Sequence, residues 1–409
     1  MGNTGQSINI SRKWLKASIN SGIKLGLDTC SKMLQRLNNP QKNFTSIHVA
    51  GTNGKGSLCA NLSALGSKNG LLIGFFSSPH LITVEERVRI DGRPVSEEIF
   101  DKCLFSVYEA SLIQPVLSPT FFEITFLTSL LAFSEAEIDV AIIETGLGGR
   151  LDCTRLVEAE ICAITTISKD HSEILGDTLV KIATEKAAIY RQNIPLFSLY
   201  HSDHEVREVF IKTAGRDLIW FNPKSHNAWD ISKEFAISIA DYMGWSIDDY
   251  EINWLGRSED NIDWIPGIRC RVSAAHNIES IENELNLLEE EVVMVIGMTS
   301  KPNLQETLSP FKNQKKILYT IITEPPKGRK YATPLGEIYD ELGKLGQTEL
   351  ETIHNPYDAL KRAKIIARRL NSSVLIIGSI YLIGEIMNYV IDRDSLDLYD
   401  VLTIHSPLK

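Results

Sequence analysis

The strongest chemical signal in the sequence is the run Gly51, Thr52, Asn53, Gly54, Lys55, Gly56 and Ser57. Closely spaced glycines let a backbone curve around an anion and turn its amides inward. A helix expected over 57–68 would add the positive end of its dipole. Lys55 carries the charge to neutralise outer phosphates, and Ser57 offers a hydroxyl suited to a magnesium ion. The spacing differs from the common phosphate loop, G-x-x-x-x-G-K-[ST], because a glycine separates Lys55 from Ser57. That departure argues against a GTPase or a simple kinase. The competing reading, a glycine-rich turn with a solvated lysine, is weakened by the apolar strand pattern before it and the helical pattern after it.

Other residues gain meaning from where they fall in the pattern. Glu144 ends an apolar run over 140–143, so it belongs at the C-terminal end of a strand, where open α/β sheets bind ligands. There it is placed to hold magnesium opposite Ser57. His171 follows a second apolar run, 161–167. A lone histidine is more often structural or exposed than a ligand. Lys186 lies on a helix expected to start near Thr178 and reads, by itself, as a surface lysine. Arg269 has a planar guanidinium suited to a phosphate oxyanion. His276 and Asn277 precede a helical pattern over 278–288, so a capped helix start competes with a ligand role. Ser379 and Tyr381 follow a buried strand, and packing explains Tyr381 nearly as well as binding does.

Short apolar runs alternating with helical patterns give an α/β fold class. A strand over 47–50, the glycine loop, the helix over 57–68 and a strand over 71–76 make a mononucleotide-binding start. Further strands are expected over 140–145, 161–167 and 195–199. A second set, 292–298, 317–323 and 374–379, has a helix Pro356–Leu370 between its last two members. The aperiodic stretch 254–271 marks a boundary near Trp264. The expected architecture is therefore a P-loop mononucleotide-binding domain with a mostly parallel sheet over 1–263, and a smaller Rossmann-like α/β domain over 264–409.

The bulk numbers agree. A chain of 409 residues suggests two domains. The net charge of −10, with Lys and Arg scattered among acids, argues against nucleic acid as a partner. Six cysteines form no C-x-x-C pair, which suggests free thiols in a reducing compartment rather than zinc or disulfides. The polar start is unlike a signal peptide, and no apolar run reaches the roughly 18 residues of a membrane span. The expected location is cytoplasmic, away from membranes.

Ordered segments across most of the chain resemble one family. The run A-G-T-N-G-K-G-S at 50–57 resembles the nucleotide loop of the Mur ligase superfamily, in its folylpolyglutamate synthase and dihydrofolate synthase branch. G-I-K-L-G-L at 22–27 and N-P-Q at 39–41 resemble that branch's approach to the loop. S-S-P-H-L at 77–81 with Glu86-Arg87 resembles its mobile folate-side loop, and F-F-E at 121–123 its "FE" segment. E-T-G-L-G-G-R-L-D at 144–152, D-H at 170–171, L-G-D-T-L at 175–179, I-A-T-E-K-A at 182–187 and G-S-I-Y-L at 378–382 follow in the family's order. P-G-I-R at 266–269, with Trp264 before it, resembles W-P-G-R; A-H-N at 275–277 resembles the end of D-G-A-H-N.

The resemblance implies an ATP-dependent ligase that adds L-glutamate to a folate-type carboxylate, dihydropteroate or a tetrahydrofolate polyglutamate. The reaction would pass through an acyl phosphate and give ADP and phosphate. Lys55, Glu144, His171, Lys186 and Arg269 would be catalytic. Residues 51–57, Arg269, His276 and Asn277 would bind ATP. Ser57, Glu144, His171 and Lys186 would serve two Mg2+ sites, Lys186 as a carbamate. Ser78, His80, Arg87, Phe122, Asp152, Ser379 and Tyr381 would meet the other substrates, and the family implies a monomer. Departures exist. Ser273 replaces the aspartate of D-G-A-H-N, isoleucines interrupt W-P-G-R, Arg155 and Cys153 alter L-D-A-T-N, and Asp230 stands where an asparagine is usual. They motivate two rivals: an amide ligase with a non-folate acceptor, and a nucleotide-binding paralogue with weakened catalysis.

Overall fold

A computed structural model describes residues 2–19, 22, 24–256, 266–326 and 331–405. They belong to two compact units, Met1–Ile252 with Leu402–Lys409, and Asn253–Val401. Trp264 and the expected boundary at 263/264 lie outside the described residues.

The first unit carries β1 (Thr45–Ala50), β2 (Ile73–Phe76), β3 (Val88–Ile90), β4 (Arg93–Pro94), β5 (Val140–Glu144), β6 (Ala159–Ile164), β7 (Leu196–Leu199) and β8 (Leu218–Phe221). Their order is β4-β3-β2-β5-β1-β6-β7-β8. β3 runs antiparallel to both of its neighbours, β2 and β4, and the other strand pairs are parallel. The parallel strands read as continuous apolar runs because helices cover both faces; β5 is buried along its whole length. β1 lies between β5 and β6, so the chain ends that follow these three strands converge on one crevice.

The helix Lys55–Lys68 fills the space beneath that crevice. Every residue from Gly56 to Ser67 is buried, and most are Gly, Ala, Ser, Cys or Leu. A helix enclosed on all sides must be built of small and apolar residues. At Gly66 an added Cβ would sit 2.5 Å from Ile73 Cδ1, so the helix lies against β2 only because no side chain is there.

The second unit holds β9 (Cys270–Ser273), β10 (Val292–Ile296), β11 (Ile317–Ile322), β12 (Leu350–Thr352) and β13 (Ser373–Ile377), in the order β12-β11-β10-β13-β9. All pairs are parallel. Met294, Ile296, Phe311, Ile338 and Leu375 anchor its core. The helix Pro356–Leu370 has the bounds the sequence suggested, because Asn355 caps it through two backbone amides and Asn371 ends it in the left-handed region.

The expected α/β class, one large mostly parallel sheet and one smaller parallel sheet, is what the chain adopts. The differences are local. The strand expected over 161–167 stops at Ile164, because Thr165–Ser168 leaves the ladder to bond the glycine loop. The strand expected over 374–379 stops at Ile377, because Ser379 becomes a helix cap. Strand β9 begins at the end of the stretch that had no readable period. The six cysteines are all buried.

Candidate active site

The glycine loop leaves β1 at Gly51, whose φ of +147° and close approach to Thr165 exclude any side chain: an added Cβ would overlap Thr165 Oγ1. Gly54, at φ +81°, caps the helix, which therefore begins at Lys55 and not at Ser57. Both residues thus sit in its first turn. The loop is fastened to the segment after β6. Thr52 N donates to Thr166 O at 2.8 Å. Thr52 Oγ1 donates to Ser168 O and accepts from Ser168 N, each at 3.1 Å. Asn53 N donates to Thr166 Oγ1 at 3.1 Å, and Thr165 Oγ1 donates to Asn53 O at 2.6 Å. Such bracing sets the amides before an anion arrives, which is what preorganised electrostatic stabilisation requires.

Two lysines reach this loop. Lys55 Nζ donates to Thr52 O at 3.1 Å and is half-buried. Lys186 Nζ donates to Gly51 O at 2.6 Å and is 5% exposed. Burial, with the Lys55 charge adding to it, pushes the Lys186 amine down to about 7, against the opposing pull of Asp170 and Asp152. Its helix, Leu179–Ala187, starts where the sequence suggested, with Thr178 as the cap.

Glu144 ends β5 beside Val49 of β1 and is 1% exposed. It accepts from Ser78 N at 2.9 Å, which ties the 77–81 segment to the strand end. Asp152 accepts from Leu147 N at 2.8 Å, Thr154 N at 3.0 Å and Thr154 Oγ1 at 2.5 Å. Burial pushes its carboxyl upward, and those bonds pull the other way. Its oxygens thus hold the 146–152 turn. Phe122 closes over Gly146, where a Cβ would lie 2.5 Å from Phe122 Cζ, and meets Phe76 edge-on at 5.6 Å. His171 adopts φ +51° at the start of the short helix Ser172–Leu175. Its side chain is 41% exposed and 3.9 Å from the carboxylates of Asp170 and Glu173.

The expected folate-side loop is organised by a residue that the sequence reading left without a role. Glu86 accepts from Leu81 N at 2.9 Å, Ile82 N at 2.5 Å and Thr83 N at 2.8 Å, and pairs with Arg89 at 3.8 Å. Arg87 Nε donates to His80 Nδ1 at 2.9 Å, and its guanidinium lies 5.1 Å over the Phe121 ring. Arg87 and Arg89 are 2% and 4% exposed, so they frame the loop instead of standing open to solvent. His48 was missed as well. It is fully buried on β1, with Nε2 at 2.9 Å from both Thr145 Oγ1 and Thr154 Oγ1. The available signal was a polar residue within the apolar run that leads into the loop.

The second unit holds the remaining candidates. His276 and Asn277 follow β9, and Ser379 and Tyr381 follow the neighbouring β13, so these four stand at one end of the sheet. Gly378 N donates to Ala275 O at 3.1 Å, which joins the two turns. Asn277 caps the helix Ile278–Asn286, and Ser379 caps Ile380–Asp394. Arg269 precedes β9 at the other end, roughly 13 Å away at the usual rise of a strand. It pairs with Glu290 at 3.3 Å, both largely exposed.

The Mur ligase middle domain family matches residues 49–259. The chain is 39% identical over 189 residues to the dihydrofolate synthase/folylpolyglutamate synthase of Bacillus subtilis, covering 45% of this chain and 44% of that protein. It is 28% identical over 419 residues to the dihydrofolate synthetase of Saccharomyces cerevisiae, covering 89% and 97%. The chain spans 38%, 44% and 27% of the length of three curated relatives that it matches at 39–40% identity. Among solved structures, E. coli FolC in complex with DHPP and ADP superposes with a TM-score of 0.79 at 24% identity, over 94% of this chain and 98% of that one. The glycine loop, Glu144 and Lys186 all fall inside the matched 49–259 segment, and the chain belongs to the Mur ligase family, in the branch of the folylpolyglutamate and dihydrofolate synthases.

Proposed function

We propose that this protein is an ATP-dependent ligase that joins the amine of L-glutamate to a folate-type carboxylate, with ADP and phosphate as products. One observation carries the reading: a braced phosphate loop with a buried carboxylate, Glu144, at the adjacent strand end and a buried amine, Lys186, on the loop's first carbonyl. The choice of glutamate and folate rests on the relatives, which are folate enzymes by name.

A carboxylate is a poor acyl donor because its oxygen leaves badly. Transfer of the terminal phosphoryl group of ATP to it makes an acyl phosphate. The loop amides and Lys55 bind the phosphates and offset charge as it moves to the leaving ADP. The glutamate amine then attacks the acyl carbon, a proton is lost from nitrogen, and phosphate departs. Arg269, His276 and Asn277 are assigned to the nucleotide, and Ser379 and Tyr381 to glutamate, on the family resemblance. Ser78, His80, Arg87, Phe122 and Asp152 are assigned to the acceptor side; Arg87 and Asp152 act there by shaping the loops they hold.

Magnesium fits the donors present. Among the described residues no three of His, Cys, Asp and Glu converge on one point. The Ser57 hydroxyl and the Glu144 carboxylate are hard oxygen donors, and magnesium is commonly held by one or two of these with phosphates and water completing its shell. When bound, the ion supplies charge neutralisation at the outer phosphates. His171 and a carbamylated Lys186 are assigned to a second ion. A lysine amine lowered to about 7 has a substantial neutral fraction at physiological pH, which is the form that captures carbon dioxide.

The test is ADP release with ATP, magnesium and glutamate, with and without dihydropteroate or tetrahydrofolate, and products weighed by mass spectrometry. Acceptor-dependent ADP release with a gain of one glutamyl unit is the expected result. ATP binding with no turnover on either acceptor would overturn the folate assignment and favour another carboxylate or a weakened paralogue.

A further inference from the structure

His48 has no part in the reaction described above, yet its surroundings fix both its protonation and its orientation. It lies in the middle of β1, two residues before the strand ends at Ala50 and the glycine loop begins. Its ring is fully buried. Arg191 Nη1 stands 3.4 Å from Nδ1. The same guanidinium donates to Ile189 O at 2.9 Å, Arg155 O at 2.7 Å and Val157 O at 2.8 Å, so it is held in place. Arg191 has only protons to offer. The nitrogen facing it must therefore be the unprotonated one, and the ring proton sits on Nε2. Burial and the charges of Arg191 and Arg155 hold the ring neutral.

The Nε2 proton faces two hydroxyls, Thr145 Oγ1 and Thr154 Oγ1, both at 2.9 Å. Thr154 Oγ1 gives its own proton to Asp152 Oδ1 at 2.5 Å, so toward His48 it accepts. The direction is thereby set: Arg191 to His48, His48 to Thr154, Thr154 to Asp152. Asp152 in turn accepts from Leu147 N and holds the turn after β5. Thr145 is the residue after Glu144, and its own amide donates to Val49 O of β1 at 2.9 Å. One imidazole thus fastens the strand that leads to the phosphates to the strand end that carries the carboxylate.

We propose that His48, as its Nε2–H tautomer, is a positioning residue that sets Glu144 in register with the phosphate loop, where the carboxylate would help to hold magnesium when a nucleotide is bound. The proposal rests on the nucleotide and magnesium assignment made above, and not on the identity of the acceptor. Neutral, directional relays of this kind orient the groups that ligate a metal, and their loss typically costs 10- to 100-fold in metal affinity.

The experiment is calorimetric titration of ADP into the full chain across a magnesium series, with no acceptor present, alongside thermal melts. Thr154→Val removes the relay hydroxyl at nearly constant shape. His48→Leu removes the imidazole, and His48→Gln keeps a donor amide near the Nε2 position. Thr154→Val and His48→Leu are expected to raise the magnesium midpoint for ADP binding by about tenfold, while His48→Gln and Thr154→Ser stay within about threefold of wild type. A purely structural role would lower the melting temperature and leave that midpoint in place at temperatures well below the melt. A folded Thr154→Val or His48→Leu protein with the wild-type midpoint would overturn the proposal. So would failure of all four variants to fold, which would assign His48 to stability alone. A wild-type protein that binds ADP without any magnesium dependence would instead sink the underlying nucleotide-and-metal reading.

Discussion

The two units place their charged candidates differently. In the first, Glu144, Lys186 and Arg87 are 1%, 5% and 2% exposed, and each has a partner on another segment. In the second, the Arg269 and Glu290 side chains are 56% and 49% exposed, while Asn277 and Ser379 are buried but neutral and cap helices. Burying an ionisable group is expensive unless bonds compensate it, so a chain seldom does so without a use for the altered chemistry. A helix cap, by contrast, stabilises the fold and leaves its residue's reactivity ordinary. The difference supports the proposal that the first unit stores the machinery for phosphate chemistry, and that the second presents groups which act only when a ligand arrives.

The largest expected effect is at Glu144. Replacing it with alanine removes the buried carboxylate beside the loop, and acceptor-dependent ADP release should fall by about a hundredfold or more. Retention of a third of wild-type turnover would erase the distinction between the units. Lys186→Met comes next, with turnover lower by about a hundredfold and stability changed in the opposite sense. The lysine's folded value of about 7 lies below its ordinary 10.5. Between those values the folded chain has given up a proton that the unfolded chain still holds. Unfolding then takes up a proton, so this group makes stability rise with pH across the window, by at most about 1.4 kcal/mol per unit. Melts in carbon dioxide-free buffer from pH 7 to 10 should show that rise in wild type and lose it in Lys186→Met. A slope shared by both proteins would mean that Lys186 is an ordinary solvated amine.

The same contrast decided what the sequence could reveal. The glycine loop was legible because its glycines, Lys55 and Ser57 are contiguous and their order alone implies a cradle. Glu144 was legible because an acid ends an apolar run. The start of the helix was not, since Gly56 disfavours a helix locally and only its enclosure by the sheet overrides that. Arg87 was legible only as a substrate-side residue implied by resemblance. The burial of Arg87 and Arg89 depends on Glu86, His80 and Phe121, and no local pattern announces a pairing across a folded loop. His48 escaped for a related reason: a histidine inside a strand looks like a satisfied core residue until the two threonines from distant segments are beside it. The substrate roles of Arg269, Asn277 and Ser379 were readable only through family resemblance, because their own geometry is that of an exposed pair and two helix caps.

Smaller effects probe the second unit. Arg269→Ala removes an exposed ion pair, so the melt should move by less than about 1 kcal/mol of stability. If the guanidinium meets a phosphate during turnover, the loss is that of one charged hydrogen bond, about tenfold in ADP release. A melt strongly lowered with turnover intact would reverse its standing, from a ligand-waiting group to a structural one.

Ser379→Ala should give the smallest change and the cleanest division between cap and ligand contact. Its side chain accepts from Tyr381 N at 3.2 Å at the start of the helix Ile380–Asp394. Loss of such a cap costs about 1 kcal/mol, which a chemical melt will register. Ser379→Asn keeps an acceptor at the cap and changes the shape offered to a ligand. Restored stability with an unchanged KM for glutamate would leave Ser379 as a cap only. Restored stability with a raised KM would mean that the residue does both, and would show that a buried helix cap in the second unit can also meet substrate.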